Sequence, residues 1–385
     1  MKVAILGCGQ LARMMAQAAA KLDVECIFVA LNEEGTASVD GLGKVVGWSA
    51  GDDTQKLFAA LDHPALITVE REAIDVTLLR ELQSFCPVVP SPESILVGQN
   101  RSRERALLQA LDIPCAPHRV ATNTTEVRAG VAALGLPLVV KACESGYDGK
   151  LQWRFHSAAD VDRFCDEQER GQWLIEKFVD FEREVSIVGV RSSTGDFLAY
   201  PLTENHHRDG ILLASIAPAP RASAQLQSAA ADYIRTIMEH LDYVGVMAVE
   251  FFVVPQGLLV NELAPRVHNS GHWTMREDMT SQFENHVRAI LGMPLGETRL
   301  HHHAGMMNIL GSTDGLESNE PPDPKVHLHL YNKAPAPLRK IGHLNVSASS
   351  ESELLVSLGE LHKRLYGGSA EADGFPAVVK SEPGE

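Results

Sequence analysis

Residues 248–274 read AVEFFVVPQGLLVNELAPRVHNSGHWT, in which two apolar runs flank a short Pro-Gln-Gly turn. Runs of this length and composition, joined by a tight turn, predict two antiparallel strands. Glu250 and Glu262 then lie in an otherwise apolar sheet, where an unpaired carboxylate is costly. Two carboxylates and the amide oxygen of Asn261 suit a hard ion, so the sequence predicts a Mg²⁺ site shared with nucleotide phosphates. Salt bridges to lysine or arginine are the alternative explanation.

A polar loop follows the second strand directly and has no helical periodicity. It contains Arg266, His268, Asn269, Ser270 and His272. Guanidinium, imidazole and amide donors at this density can hold a small oxyanion. A structural loop could contain any two of these residues, whereas all five beside a metal-type carboxylate pair indicate an active site.

Residues 139–150, VVKACESGYDGK, place Lys141 at the end of an apolar strand and before a loop rich in glycine. A lysine on a rigid strand beside such a loop can clamp phosphates, because the ammonium neutralises the oxygens while the loop amides close over them. A solvated hairpin with an accidental lysine explains the same stretch.

Residues 174–188, LIEKFVDFEREVSIV, carry Glu176 and Glu184 on either side of a turn that follows an apolar strand. Adenine needs one backbone donor and one acceptor in an apolar slot, which the strand end at Phe178 and Val179 can supply. A ribose needs an acceptor for its hydroxyls, and Glu184 suits that contact. Carboxylates on a surface hairpin are the alternative.

The first hundred residues, before a predicted helix at 101–111, alternate short apolar runs at 2–6, 25–30, 66–69 and 88–89 with helical stretches, which predicts βαβ units and a parallel sheet. Within them, GCGQLARM at residues 7–14 follows a strand, and its turn would present unpaired amides to an anion. A dinucleotide fingerprint requires glycine where Ala12 stands, so an NAD site, a packing turn and a phosphate site for another ligand all stay open. Beyond about residue 113 the predicted strands come in pairs, which indicates an α+β unit.

Composition restricts the class of protein. The 385 residues are 45% hydrophobic, which predicts more than one domain, and the net charge of −16 argues against nucleic acid or an anionic membrane as partner. Six dispersed cysteines are expected to be reduced core residues. The apolar runs are too short for a membrane span, and the N-terminus has no signal-peptide pattern, so a cytoplasmic enzyme is expected.

Together these motifs resemble the ATP-grasp superfamily over roughly residues 95–295. The strings SGYDG, EVSIV, YPLTEN, NELAPRVHNSGHWT and KIGHLN are similar, over nearly the whole chain, to the 5-(carboxyamino)imidazole ribonucleotide synthase family. The resemblance implies a multidomain α/β and α+β fold: a Rossmann-like, biotin-carboxylase-type domain (1–97), an ATP-grasp domain (98–296) and a small C-terminal domain (297–385). It also implies a homodimer.

The resemblance also implies roles for individual residues. ATP would be held by Arg101, Lys141, Glu176, Val179, Glu184 and His207, and Mg²⁺ by Glu250 and Glu262 with Asn261. Arg266, His268 and Asn269 would face bicarbonate, with Asp148 or His268 as proton acceptor. The ribonucleotide would contact Gln10, Leu11, Glu70, Tyr147, Lys333, Arg339 and Lys340. The chain has Lys150 and Leu151 where the family pattern has arginine and glycine, and it departs again at 336–338, whereas Glu70 and Glu72 match the pattern.

The activity that the resemblance implies is carboxylation of the exocyclic amine of 5-aminoimidazole ribonucleotide with ATP and bicarbonate, in purine biosynthesis. Three other readings stay open at this stage. They are another ATP-grasp ligase or transformylase of nucleotide metabolism, a dinucleotide-dependent oxidoreductase, and a nucleotide-binding module without catalysis.

Overall fold

The structure is a computed structural model that describes residues 1–144, 151–168, 170–314, 316 and 323–367. These residues form three sheets, of four, four and nine strands in order of the chain position of their first strands, with helices packed around them. The predicted mixture of a parallel α/β unit followed by antiparallel α+β units is confirmed.

The N-terminal unit is a parallel sheet with helices on its faces. Its elements are β1 (Lys2–Leu6), α1 (Gln10–Ala20), β2 (Glu25–Leu31), β3 (Lys44–Trp48), α2 (Thr54–Ala60), β4 (Leu66–Val69), α3 (Val76–Gln83) and α4 (Pro92–Gly98). The strand order is β3-β2-β1-β4. β1, β2 and β4 are apolar runs that are buried almost throughout, as expected for strands covered on both faces.

Two details of this sheet differ from the sequence prediction. β3 was not predicted, because its KVVGW sequence is largely exposed at the sheet edge and lacks a continuous apolar run. The expected strand at Val88 and Val89 is only an isolated parallel bridge between Val88 and Ile67.

A connecting helix and a small antiparallel sheet come next. They comprise α5 (Arg101–Ala110), β5 (His118–Asn123), α6 (Thr124–Leu134), β6 (Leu138–Ala142), β7 (Gln152–Phe155), α7 (Ala158–Glu167) and β8 (Arg170–Lys177), with strand order β5-β8-β6-β7. The side chain of Asn100 caps α5 by accepting from the amides of Ser102 and Arg103, which fixes where this helix begins.

The large antiparallel sheet contains nine strands. Its elements are β9 (Arg183–Arg191), β10 (Phe197–Ala199), β11 (Thr203–Arg208), β12 (Ile211–Ala217), α8 (Ala224–His240), β13 (Gly245–Val254), β14 (Gly257–Ala264), α9 (Gln282–Ile290), β15 (His303–Leu310), β16 (Val326–Leu330), β17 (Lys340–Ala348) and α10 (Glu351–Tyr366). The order is β14-β13-β9-β11-β12-β15-β17-β16, with β10 beside β9. The C-terminal strands therefore extend the central sheet.

One apolar core joins the three parts of the chain. Met14 and Met15 of α1 share it with Trp273 and Phe283 from the central part and with Tyr331 near the C-terminus. Such a shared core restricts the relative movement of the parts, because moving them apart would expose apolar surface to water.

A buried polar contact reinforces this junction between the N-terminal sheet and α9. Thr68 Oγ1 lies 3.0 Å from His286 Nε2, and the amide of Val246 donates to His286 Nδ1 at 3.1 Å. Because Nδ1 accepts, the ring proton lies on Nε2 and is donated to Thr68. Burial lowers the pKa of His286 to about 4, so the ring is neutral near pH 7.

All six cysteines are free, as predicted, although Cys86, Cys115 and Cys165 are only half-buried rather than core residues. Within the described ranges, no helix is both long enough and apolar enough to cross a membrane.

Candidate active site

A cleft of about 1410 Å³ is lined by residues from all three parts of the chain. The predicted site residues that line it are Gln10, Leu11, Glu70, Arg101, Lys141, Glu176, Val179, Glu184, His207, Glu250, Asn261, Glu262, Arg266, His268, Asn269, Lys333, Arg339 and Lys340. Tyr147 and Asp148 lie outside the described residues. Every other residue to which the resemblance assigned a role contributes to one cavity, whereas Ser270 and His272 of the predicted oxyanion loop are buried and do not line it.

The two predicted metal-binding carboxylates face each other across adjacent strands. Glu250 on β13 is the register partner of Glu262 on β14. Burial raises the pKa of both carboxyl groups. For Glu262, the negative charges of Glu250 and Glu72 raise the pKa further. The Glu262 side chain is 44% exposed, but its exposed part faces the cleft. The protein that surrounds the cleft still disfavours the charged form of this carboxyl group.

The basic groups around this pair do not outweigh the effect of burial, although His207 and Lys340 lower the pKa of Glu250 and Arg101 lowers that of Glu262. A guanidinium nitrogen of Arg101 lies 3.8 Å from Glu262 Oε2, and His268 Nε2 lies 3.7 Å from Glu250 Oε1. Burial, together with nearby Arg266, holds the pKa of His268 well below its usual value, so its ring is neutral and does not neutralise Glu250. A divalent cation would relieve the repulsion between two such carboxylates.

The described residues form no group of three or more His, Cys, Asp or Glu side chains that could hold a metal ion. A pair of carboxylates supplemented by an amide oxygen is a smaller set, of the kind that Mg²⁺ shares with substrate phosphates. Asn261 also lines the cleft, and its side-chain Oδ1 atom accepts a hydrogen bond from Lys141 Nζ at 3.4 Å. The donor chemistry of the three residues thus fits Mg²⁺.

A β-bulge explains how Asn261 and Glu262 both reach the cleft although they are consecutive. Glu250 pairs with Glu262 and Phe251 pairs with Val260, so Asn261 has no partner on β13. In a regular strand consecutive side chains point to opposite faces, and one extra residue changes this alternation. The bulge is therefore a requirement of the site.

Glu176 is held by two cations at one wall of the cleft. Lys141 Nζ lies 2.8 Å from Glu176 Oε2, and Arg105 Nε donates to Oε1 at 2.8 Å. Burial alone would raise the pKa of Glu176, but Lys141 and Arg105 outweigh it and lower the pKa to about 2. The ammonium of Lys141 is thereby fixed at the cavity wall.

Farther along the same wall, Glu184 and His207 form an ionic contact between β9 and β11. His207 Nδ1 lies 3.3 Å from Glu184 Oε2. Burial works against the charged ring, but the Glu184 carboxylate outweighs it and raises the pKa of His207. An apolar patch lies beside them, where Phe252 stacks on Phe181 with ring centroids 4.5 Å apart. This patch provides the apolar surface that an aromatic base requires.

The predicted oxyanion loop is held by partners within the protein. Arg266 forms a two-point ion pair with Glu72 from the N-terminal part, one hydrogen bond of which joins Nη2 to Oε1 at 3.2 Å. The amide of Asn269 exchanges two hydrogen bonds with that of Asn308 on β15, at 3.0 and 2.7 Å. These contacts orient the loop, which continues to line the cleft.

The glycine turn after β1 differs from the prediction. Its amides were expected to be unpaired and available to an anion, but those of Gly9 and Ala12 donate to the carboxylate of Glu70 at 2.7 and 2.9 Å. Glu70 is buried, and burial raises its pKa although the two amides oppose the shift. An internal carboxylate therefore occupies the anion position at the start of α1.

Three cations, Lys333, Arg339 and Lys340, also line the cleft. Lys333 donates to the Oε1 atom of Gln10, which connects the C-terminal segment to the start of α1. Burial and the nearby charges of Arg339 and Lys340 lower the pKa of Lys333, although the Glu70 carboxylate opposes this shift. Like charges at this proximity are unfavourable without an anion, so the cluster has the character of an anion receptor.

The chain matches three family models. They are the ATP-grasp domain over residues 106–283, the ribonucleotide synthetase preATP-grasp domain over 1–99, and the phosphoribosylaminoimidazole carboxylase C-terminal domain over 304–356. The N5-carboxyaminoimidazole ribonucleotide synthase of Vibrio cholerae is 40% identical over 392 residues, an alignment that covers 98% of each chain. The chain belongs to the N5-carboxyaminoimidazole ribonucleotide synthase family.

Solved structures of this synthase family have the same fold. The crystal structure from Thermus thermophilus has a TM-score of 0.86 at 37% identity and covers 96% of this chain and 99% of its own. The structure from Aspergillus clavatus, in complex with ADP and 5-aminoimidazole ribonucleotide, has a TM-score of 0.84 at 27% identity and covers 94% and 98% of the two chains.

Two positions where this chain departs from the synthase pattern have unusual backbone angles. Leu151 and Leu338 adopt φ values of +57° and +58°, a region that leucine rarely occupies, and both line the cleft. Their side chains are exposed, at 49% and 56%. The left-handed conformation at Leu151 agrees with the glycine that the synthase pattern has there.

Sequence reasoning missed several residues that organise this synthase site. Arg105 and Glu104 lie in a charged helical stretch that is indistinguishable from a solvated surface, and Glu72 was matched to the family pattern without a role. Phe252 was treated only as part of a strand. The one sequence signal for Arg105 and Glu104 is their position beside a predicted ATP ligand, Arg101, on the same helix.

The contact between Glu70 and the glycine turn generates a stability prediction. A Cβ atom at Gly9 would lie 2.8 Å from Glu70 Oε1, whereas one at Gly47 meets nothing within 4 Å. Gly9→Ala should lower the free energy of unfolding by about 1 to 3 kcal/mol, because the displaced carboxylate loses two hydrogen bonds while it stays buried. Gly47→Ala is the matched control and should change it by less than about 0.5 kcal/mol. Urea unfolding measures both, and equal effects would show that the carboxylate can move without cost.

Proposed function

We propose that this protein carboxylates the exocyclic amine of 5-aminoimidazole ribonucleotide, using ATP and bicarbonate and releasing ADP and phosphate. The observation that carries the proposal is that a single cleft is lined by a carboxylate pair, by Lys141 and by a cluster of three cations. The relative from Aspergillus clavatus binds ADP and 5-aminoimidazole ribonucleotide, which is the ligand pair that such a cleft suits.

Bicarbonate is a poor electrophile, so the reaction has to activate it first. An oxygen of bicarbonate attacks the γ-phosphorus of ATP, ADP leaves, and carboxyphosphate forms. The amine then attacks the carbonyl carbon, or CO₂ released from it, and inorganic phosphate leaves with the electron pair of the C–O bond. The amine gives its proton to a base, for which Asp148 and the neutral ring of His268 are the two candidates.

The nucleotide end of the site is assigned to residues around Lys141. Lys141 and Arg101 bind phosphate oxygens, Glu184 accepts from the ribose hydroxyls, and the backbone from Glu176 to Val179 contacts the adenine. His207, held by Glu184, lies on the same wall, and the Glu184 carboxylate favours its protonated form. These residues act largely by positioning the substrate, because the Lys141–Glu176 and His207–Glu184 pairs are formed before the substrate binds.

Glu250 and Glu262, with Asn261, would hold Mg²⁺, which when bound supplies charge neutralisation for the transferring phosphoryl group. The opposed carboxylates and their raised pKa values support this assignment. Removing either carboxylate would relieve repulsion in the metal-free protein, so its loss is expected to harm turnover more than folding.

Bicarbonate and the oxyanion that forms from it are assigned to Arg266, His268 and Asn269. Arg266 is anchored by Glu72 and Asn269 by Asn308, so the donors are arranged in advance rather than recruited by substrate. Preorganised donors stabilise developing charge more effectively than mobile ones.

The ribonucleotide is assigned to the end of the cleft nearest the N- and C-terminal segments. Lys333, Arg339 and Lys340 bind its 5′-phosphate, and Gln10, Leu11, Glu70 and Tyr147 contact the remainder. The mutual proximity of the cations supports a dianionic ligand, because its charge would offset their repulsion.

The remaining parts of the proposal concern organisation. We assign residues 1–97, 98–296 and 297–385 to three domains, and the protein to a cytoplasmic homodimer. The resemblance to the synthase family supports the dimer and the domain number. The negative net charge supports small-molecule substrates over nucleic acid as partners.

Another ATP-grasp ligase or transformylase is the competing function, and release of ADP distinguishes the two. Purified protein with Mg-ATP and bicarbonate should release ADP rapidly only when 5-aminoimidazole ribonucleotide is added. Glu262→Ala should reduce this release on the order of a hundredfold or more with little change in thermal stability. Glu93→Ala, an exposed glutamate outside the cleft, is the control. Stimulation by a different amine, or near-normal turnover of Glu262→Ala, would contradict the proposal.

The cation cluster generates a second kinetic prediction. Lys333→Ala should raise KM for 5-aminoimidazole ribonucleotide roughly ten- to a hundredfold, because one charge-assisted contact to phosphate is lost, while KM for ATP stays nearly constant. Lys325→Ala is the matched control, since Lys325 pairs with Glu353 and does not line the cleft. Equal changes in both KM values, or none, would favour a solvated turn over a phosphate receptor.

A further inference from the structure

The bulge at Asn261 lies in an edge strand, so it needs support from outside the sheet. β14 is the terminal strand of the large sheet and pairs only with β13 within it. A bulge leaves backbone groups without ladder partners, and an edge strand exposes a further row of them. The outward amide of Val260 donates to the carbonyl of Pro114 at 2.8 Å, just before the bulge.

Two consecutive residues of α5 form hydrogen bonds with backbone groups that follow Val260 in β14. Arg105 Nη2 donates to the carbonyl of Asn261 at 2.7 Å, and the amide of Leu263 donates to Glu104 Oε2 at 3.0 Å. Val260 and Leu263 both direct amides outward although they are three positions apart, which regular alternation forbids and the bulge permits. The peptide groups on both sides of Glu262 are therefore fixed by α5.

The same helix residues reach the nucleotide wall. Arg105 also donates to Glu176, which holds Lys141, and Arg105 forms an ion pair with Glu104. Both α5 side chains are almost fully buried, with 2% and 3% of each exposed. One buried cation thus contacts the strand that carries Glu176 and the strand that carries Asn261 and Glu262.

We propose that Glu104 and Arg105 are positioning residues that hold the Asn261 bulge, and thereby aim the Glu262 carboxylate at the metal position beside the nucleotide phosphates. The inference rests on the proposed metal role of Glu250 and Glu262. Neither α5 residue touches substrate. Each acts through the backbone of β14.

Stability alone is a weak explanation for this arrangement. Burying an ion pair costs desolvation that its attraction often only offsets, and an apolar pair of similar volume would fill the space at less cost. A positioning role explains instead why the Arg105 donor and the Glu104 acceptor bind the two peptide groups that flank Glu262, the proposed metal ligand. It also predicts that metal binding depends more on the length of the side chain at position 104, which we call its reach, than on its charge.

Two substitutions of Glu104 separate reach from charge. Glu104→Gln keeps the length of the side chain and an acceptor for the Leu263 amide but loses the charge and the second acceptor, which Arg105 uses. Glu104→Asp keeps the charge beside Arg105, which protects folding, but is one methylene too short for the Leu263 amide. Glu93→Asp is the matched control, because Glu93 also pairs with an arginine, Arg80, but lies outside the cleft.

The measurement is the affinity for ADP by isothermal titration calorimetry, once with Mg²⁺ and once with EDTA. The ratio of the two affinities reports on the metal position, and the stoichiometry counts folded sites. Glu104→Asp should lower the ratio about tenfold, as expected for loss of one buried hydrogen bond, with affinity in EDTA nearly unchanged. Glu104→Gln and Glu93→Asp should keep it within about threefold of the unsubstituted protein.

An unchanged ratio in Glu104→Asp, or a fall only in Glu104→Gln, would overturn the inference, the second by showing that charge rather than reach matters. A merely structural role would lower thermal stability or stoichiometry and leave the ratio constant, which also counts against it. If the unsubstituted protein binds ADP equally with Mg²⁺ and with EDTA, the metal assignment fails, and this inference fails with it. The three failures are therefore distinguishable.

Discussion

The buried carboxylate of Glu176, shared between Lys141 and Arg105, is the interaction on which the site depends. It fixes the ammonium of Lys141 at the cleft wall where we propose that nucleotide phosphates bind, and through Arg105 it connects this wall to the bulged strand that carries Glu262. With its pKa lowered to about 2, Glu176 stays ionised at physiological pH. Its contribution to stability is complete above the ordinary carboxyl value and is lost only as pH falls toward 2. The contacts of Glu176 with Lys141 and Arg105 are thus insensitive to pH under working conditions.

The sequence was sufficient to predict the elements that follow from apolar periodicity. β1, β2 and β4, the paired strands β13 and β14, and helix α5 all form close to their predicted positions, because their patterns are those of buried strands and an amphipathic helix. The residues assigned to the site converge on one cleft wherever the structure describes them. The informative signal for the site was a residue type that is costly to bury, such as Glu250 in an apolar strand.

The rest depends on tertiary contacts that leave no local pattern. The amides of the glycine turn bind Glu70, some sixty residues away, and no periodicity reports which internal carboxylate reaches them. The Asn261 bulge inserts one residue into a strand that otherwise has ordinary strand composition. Arg105 stands in a charged helix face that resembles solvated surface, and only its long-range partners reveal that it is buried. Fold and candidate residues were therefore predictable, but their supports were not.

The central claim is that bicarbonate is phosphorylated before the amine is carboxylated. Bicarbonate labelled with ¹⁸O, supplied with Mg-ATP and 5-aminoimidazole ribonucleotide, tests this order directly through mass analysis of the inorganic phosphate. If carboxyphosphate forms, the bicarbonate oxygen that attacked the γ-phosphorus stays with phosphorus when the C–O bond breaks. The account predicts phosphate that carries one ¹⁸O atom per turnover. Phosphate without excess ¹⁸O, released at the same rate as the carboxylated product, would contradict it.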